Sequence, residues 1–211
     1  PILVIVNVQR GGPSTGQPTL SSQQDIYSAR YGSHGDYEII ALAPSSAQEM
    51  YDFTIRAFQL SERYRTPVIL LADEEVGHLR EKVTLRTGKS EIREGKKPYV
   101  QSPQGDFFRG ENAMVEGQLH DEQGRRIGHI AKRSGAFVEG INKKITDHID
   151  EITDIETFCM EDAEVAIIAY GSVVRPVQNA IKLARGIRDD RIVSKFKGVK
   201  DLFVRGLPAT F

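Results

Sequence analysis

The chain has 211 residues, 39% of them hydrophobic and 27% charged, an ordinary globular composition with room for one large domain or two modest ones. A formal net charge of -1 gives no global attraction to nucleic acid or to an anionic membrane surface, so neither partner is expected. No apolar run approaches the roughly 20 residues that span a bilayer, and the start lacks the basic flank of a signal peptide, so the expectation is a soluble cytoplasmic protein. The single cysteine, Cys159, can form no internal disulfide and cannot alone hold an iron–sulfur cluster, which usually takes four thiolates.

The chain opens on Pro1 inside a strand pattern, as a fragment of a longer chain would. Ile2 to Val6 form an unbroken apolar run, the pattern of a strand covered on both faces in the middle of a parallel sheet. It gives way to Arg10-Gly11-Gly12-Pro13-Ser14-Thr15-Gly16, at the carboxyl end of the strand, where parallel sheets bind ligands. A cation, three glycines that let backbone come close, and two hydroxyls are parts for holding a small anion. The same composition also makes an ordinary surface loop, in which Arg10 would form no more than a weak ion pair. Ser21 to Tyr31 predict a short helix ending at Gly32, and a turn follows with His34 between small residues. A lone loop histidine is most often solvated or structural.

Glu38 to Pro44 read as a second strand, and Ser46 with Glu49 forms a capping box for the next helix. Met50, Phe53, Ala57, Leu60 and Tyr64 make its apolar stripe. Pro67 stops that helix, and Val68 to Leu71 form a third strand running into Ala72-Asp73-Glu74-Glu75. Strand, helix and strand at this spacing predict a parallel, right-handed crossover and an α/β fold. The three acids at its end read as structural, since neighbouring acids in a loop point different ways into water.

From Val76 to Glu116 periodicity fades into an extended connector with a basic excess, either a solvated linker or a face for an acidic surface or a phosphate. In Gly117 to Gly124, His120 lies beside Asp121 and Glu122; adjacent residues converge poorly on one ion, so a turn is expected. Ile141, Ile145 and Ile149 mark one helix face. Ala163 to Ser172 read as a strand entering a helix, with Ser172 as cap and Val173, Val177, Ala180, Ile181 and Ala184 as its buried stripe. Gly171-Ser172 at a helix start could cradle a phosphate, although a strand–helix turn uses such residues anyway.

The segment from Gln9 to Thr19, with Arg10-Gly11-Gly12-Pro13-Ser14-Thr15-Gly16-Gln17-Pro18 inside it, closely resembles the signature of the α subunit of the 2-oxoacid:ferredoxin oxidoreductases. Gly117 to Gly124 resembles that family's Gly-x-x-His-Asp-Glu-x-Gly segment, and the turn around His34 is similar to its Gly-His-Gly turn. The resemblance covers most of Pro1 to Arg185 and departs after Gly186. It implies that residues 1–116 are the C-terminal part of a parallel-sheet, transketolase-like pyrimidine-binding domain plus connector. Residues 117–160 would then be a linker and helix, and 161–211 the start of a second α/β domain, resembling the C-terminal domain of transketolase-type enzymes and possessing only part of it.

The resemblance also implies the chemistry. Such enzymes oxidatively decarboxylate a 2-oxoacid to an acyl-CoA and pass electrons to ferredoxin, thiamine diphosphate supplying the hard step. Arg10 and Thr19, with Ser14 and Thr15, would bind the substrate, and Gly11, Gly12 and His34 would meet the cofactor. No catalytic residue and no metal ligand is assigned in this chain. The diphosphate, its magnesium and the iron–sulfur clusters would sit on partner subunits, so activity would require the β subunit, coenzyme A and ferredoxin in a hetero-oligomer. A non-redox enzyme of the wider thiamine-diphosphate group, or a non-catalytic α/β assembly module, are the other functions the residues allow.

Overall fold

The computed structural model describes residues 3–86, 119, 126–160 and 166–185. Most of the basic connector, the turn at 117–124 with His120, Ala163 to Val165 and everything after Arg185 lie outside the described residues. Residues 1–84 and 142–211 cluster as one compact unit, and 85–141 as another.

In the first unit three parallel strands, β1 (Val4–Gln9), β2 (Ile40–Leu42) and β3 (Val68–Asp73), form a sheet ordered β1-β3-β2. Its centre is β3, whose Val-Ile-Leu-Leu-Ala run is buried almost throughout. Among the described residues β1, the strand expected in the middle, lies at the edge, with Val6 53% and Val8 52% exposed. A continuous apolar run reports two apolar faces but does not say which strands flank it.

Helix α2 (Ala47–Tyr64) connects β2 to β3 and packs Phe53, Ala57, Leu60 and Tyr64 against one face of the sheet, where Ile145 and Ile152 complete the core. Each large side chain of this set, such as Phe53 or Leu60, contributes roughly 1.5–3 kcal/mol when taken from water, which is why the stripe determines how the helix lies. Buried Ser61 on α2 also holds the start of β1, accepting from Leu3 N at 2.9 Å and donating to Leu3 O at 3.2 Å. At the head of α2, Ser46 Oγ accepts from Glu49 N at 3.0 Å as a capping box requires. The return bond differs, because the Glu49 carboxylate accepts from Ser45 N and Ser45 Oγ instead of the Ser46 amide.

The opposite face of the sheet is covered by Ile26 and Ala29 of α1 (Ile26–Tyr31) and by Tyr170. Helix α1 begins five residues later than expected, since Gln24 and Asp25 engage the loop before it and Gln23 reaches Asp73 and Tyr170. A helix absent from the expected connector, α3 (Glu74–His78), follows β3 directly, capped by Asp73, which accepts from Val76 N at 3.0 Å. The isoleucine stripe near 145 is present, but its helix α4 (Ala131–Thr146) starts earlier and breaks after Thr146, so Ile149 opens a separate α5 (Ile149–Ile152).

Further on, 166–170 pair with no strand among the described residues. A 3-10 turn, Gly171–Val173, leads into α6 (Val174–Ala184), where Val174 is buried, Val173 and Ala180 are exposed, and Ser172 makes no cap bond. Arg175 of α6 forms a two-pronged pair with Glu81, Nη2 to Oε2 at 2.9 Å, and Glu81 also accepts from Ala47 N at 3.3 Å. One carboxylate thereby joins the starts of α2 and α6. In the second unit, Ile127 N donates to Leu119 O at 2.8 Å and Ile130 N to Ile127 O at 2.9 Å, in the turn that leads into α4.

Candidate functional site

The loop after β1 is closed by its own backbone. Gln17 N donates to Gly11 O and Gly16 N to Pro13 O, both at 3.0 Å, and the Gly12–Pro13 peptide is cis. Ser14 and Gly16 both have positive φ, 57° and 55°. Gly16 admits no side chain, because a Cβ there would lie 1.5 Å from Gly11 O. Gly12 is different: it is exposed, and a Cβ there would make only an ordinary contact, with Gln24 Oε1 at 3.7 Å.

This closure gathers Arg10, Gly11, Gly12, Ser14 and Thr15 into one loop at the carboxyl end of the sheet. The side chains of Arg10, Ser14, Thr15 and Thr19 are exposed, and Gly11 is buried. His34 is exposed in its turn, with its Nδ1 3.4 Å from Ser33 Oγ, a contact that does not link it to the loop.

Beneath the loop lies a group that the sequence reading left as structural. Asp73, 1% exposed at the end of β3, accepts from Val76 N through Oδ1 and, through Oδ2, from Ser172 N at 3.0 Å and Gln23 Nε2 at 3.2 Å. Gln23 Nε2 donates also to Tyr170 O at 3.1 Å. Burial pushes the Asp73 carboxyl up, but the bonds from Val76, Ser172 and Gln23 outweigh it and hold the group below its usual range. Gly171 has φ of +63°, and a Cβ on it would strike Gln23 Nε2 at 2.7 Å and Asp73 Oδ2 at 2.9 Å. The anion at the Gly171-Ser172 turn is therefore the protein's own carboxylate, not a phosphate.

The signature loop is tied to this group through consecutive residues. Gln24 Oε1 accepts from Gly12 N at 2.6 Å, and Asp25 Oδ2 from Arg10 N at 3.4 Å. The acids after Asp73 serve the same segment, Glu74 and Glu75 each accepting from Ser21 Oγ, at 3.1 and 2.9 Å. The reading of Asp73 as structural holds, but its burial and its partner Gln23 were missed because their bond spans 50 residues.

Gln9, the last residue of β1 and paired in register with Asp73, is 1% exposed, and neither its Nε2 nor its Oε1 finds a partner among the described residues. A buried polar group left so costs about 1–3 kcal/mol. Gln9→Met, which keeps the shape and removes both atoms, is expected to raise stability by about that amount, read from urea unfolding of the chain. A lower unfolding midpoint would mean that the amide is satisfied.

Residues 1–127 match the family described as pyruvate flavodoxin/ferredoxin oxidoreductase, thiamine diphosphate-binding. The chain is 48% identical to the 2-oxoglutarate synthase subunit KorA of Methanothermobacter marburgensis, over 88% of this chain and 54% of that protein. It is 31% identical to the ketoisovalerate oxidoreductase subunit VorB of the same organism, over 86% of this chain and 48% of the relative. Among solved structures it resembles the 2-oxoglutarate:ferredoxin oxidoreductase from Magnetococcus marinus with 2-oxoglutarate, coenzyme A and succinyl-CoA bound, at a TM-score of 0.62 and 28% identity, covering 88% of this chain and 35% of that one. The chain spans about half the length of the curated relatives it matches.

Proposed function

Because the chain belongs to the pyruvate flavodoxin/ferredoxin oxidoreductase, thiamine diphosphate-binding family, we propose that it is part of the α subunit of an enzyme that oxidatively decarboxylates a 2-oxoacid to an acyl-CoA, passing electrons to ferredoxin. Similarity to subunits of 2-oxoglutarate synthase favours 2-oxoglutarate as the acid. The observation that carries the proposal is the exposed Arg10 on a glycine-built loop at the carboxyl end of a parallel sheet, in a chain with these relatives.

Arg10 pairs with the substrate carboxylate as a fork, and the hydroxyls of Thr19, Ser14 and Thr15 add hydrogen bonds. Exposed Gly12 fits the close approach of a flat cofactor ring, and Gly11 and His34 complete this chain's contribution. When bound, thiamine diphosphate supplies the electron sink for loss of carbon dioxide. Magnesium and iron–sulfur clusters belong to partner chains, the β subunit first among them, in a cytoplasmic assembly. The change of domain near residue 161 goes with this reading, the Tyr170–Ser172 turn docking the second domain against Asp73.

The test is reduction of ferredoxin or methyl viologen by the full-length parent chain copurified with its β subunit, given thiamine diphosphate, coenzyme A and a panel of 2-oxoacids. Reduction dependent on coenzyme A and fastest with 2-oxoglutarate is the expected result. Arg10→Ala should lower kcat/KM about tenfold to a hundredfold, the equivalent of a charged hydrogen bond of about 1.5–3 kcal/mol. Unchanged kinetics for that variant would remove Arg10 from the site.

A further inference from the structure

We propose that Gln23-Gln24-Asp25 is a bracket that positions the Arg10 loop, and that its two glutamines work through opposite ends of the same side chain, Gln23 as donor and Gln24 as acceptor. The consequence for turnover rests on the function proposed above; the bracket itself rests on hydrogen bonds.

Partner chemistry assigns the two amides. Gln23 faces the Asp73 carboxylate at 3.2 Å and the Tyr170 carbonyl at 3.1 Å, which only accept, so its nitrogen points there. Gln24 faces the N–H of Gly12 at 2.6 Å, which only donates, so its oxygen points there. Asp25 adds an acceptor for Arg10 N at 3.4 Å. Three consecutive residues thus fasten the two backbone amides that aim the arginine to the buried carboxylate at the end of β3.

The bracket takes precedence over the helix that follows. Asp25 stands at the N-cap of α1 yet makes no side-chain cap bond, its carboxylate being turned to Arg10 N. All of these bonds run to other residues of the chain, which makes Gln23, Gln24 and Asp25 positioning residues.

The assignment predicts opposite responses to one substitution at neighbouring positions. In the full-length α subunit with its β subunit, Gln24→Glu keeps the acceptor and should leave the 2-oxoglutarate KM within about threefold of wild type, whereas Gln24→Met should raise it about tenfold with kcat little changed. Gln23→Glu sets a carboxylate against Asp73 and a carbonyl, and should raise KM at least as far as Gln24→Met. Gln24 is exposed, so neither of its substitutions disturbs the core.

Amide exchange in the peptide covering residues 10–17, followed by mass spectrometry, supplies a readout without turnover. It should be faster than wild type in Gln24→Met and Gln23→Glu and unchanged in Gln24→Glu. Two Gln24 variants that behave alike, or a Gln23→Glu enzyme indistinguishable from wild type, would overturn the bracket. An active wild type whose Gln24→Met variant exchanges faster at unchanged KM would overturn its role in positioning. A wild type that oxidises no 2-oxoacid yet gives the expected order of exchange would count for the bracket and against the proposed function.

Discussion

In the enzyme proposed above, Gly16→Ala should lower 2-oxoacid oxidation at least about a hundredfold while leaving the sheet folded. Two effects act together at this position. A residue with a Cβ pays roughly 1–2 kcal/mol for the left-handed backbone, here at φ of +55°. The larger effect is steric, since the added carbon would lie 1.5 Å from Gly11 O, the oxygen that accepts from Gln17 N and closes the loop. That bond and the alanine cannot coexist, so the loop must open beside Arg10. Misplacing a substrate-holding group by about 1 Å costs on the order of a hundredfold, so a loss of at least about that size in kcat/KM is expected. Ferredoxin-linked turnover measures it, with far-ultraviolet circular dichroism as the check on folding. Activity within about threefold of wild type would show that substrate is not held by this loop.

Asp73→Ala should act on the fold itself, lowering stability by at least about 1.5–3 kcal/mol in urea unfolding, the range for losing hydrogen bonds to a buried charged group. Val76 N and Ser172 N lose this acceptor at once and Gln23 Nε2 keeps only Tyr170 O, so the change reaches α3, the turn before α6 and the segment next to the Arg10 loop. A loss under about 1 kcal/mol would mean that other groups replace the carboxylate. The sign of the pH dependence follows from the downward shift of the carboxyl. Its folded value lies below the ordinary 3.8, so the stabilisation is present above 3.8 and disappears as pH falls through the lower, folded value. Between pH 7 and pH 3, Asp73→Asn should therefore lose less stability than wild type does.

Much of this arrangement can be read from local pattern, and the rest depends on distant partners. The stripe on α2, the Ser46 cap and the apolar β3 depend on neighbours three or four residues away or on the strand's own composition, so they are legible in the sequence. The place of β1 is not, because a run such as Ile2 to Val6 describes its own faces and says nothing of its rank in the sheet. The late start of α1 is hidden for a related reason: Asp25 suits a cap in any local view, but its carboxylate is turned to Arg10. Asp73 is the plainest case. Its partners lie 3, 50 and 99 residues away, and only the nearest leaves a trace in the local pattern. The Arg10 loop could be recognised from its signature, while the oppositely directed Gln23 and Gln24 amides emerge only when the partners are in view.

The oxygen Oδ2 of Asp73 takes hydrogens from two sides, Gln23 below the loop and Ser172 in the turn ahead of α6. Two donors on one acceptor are not independent, because each draws on the same charge and each limits where the other can sit. A ligand that pulled the loop outward would leave that oxygen to Ser172, and a shift of the turn would reach the loop by the same route. If the two are linked in this way, the linkage is necessarily reciprocal in free energy, whichever side moves first. The carboxylate is then a balance point as well as an anchor, one through which the state of the Arg10 loop can be communicated to a segment about 150 residues further along the chain.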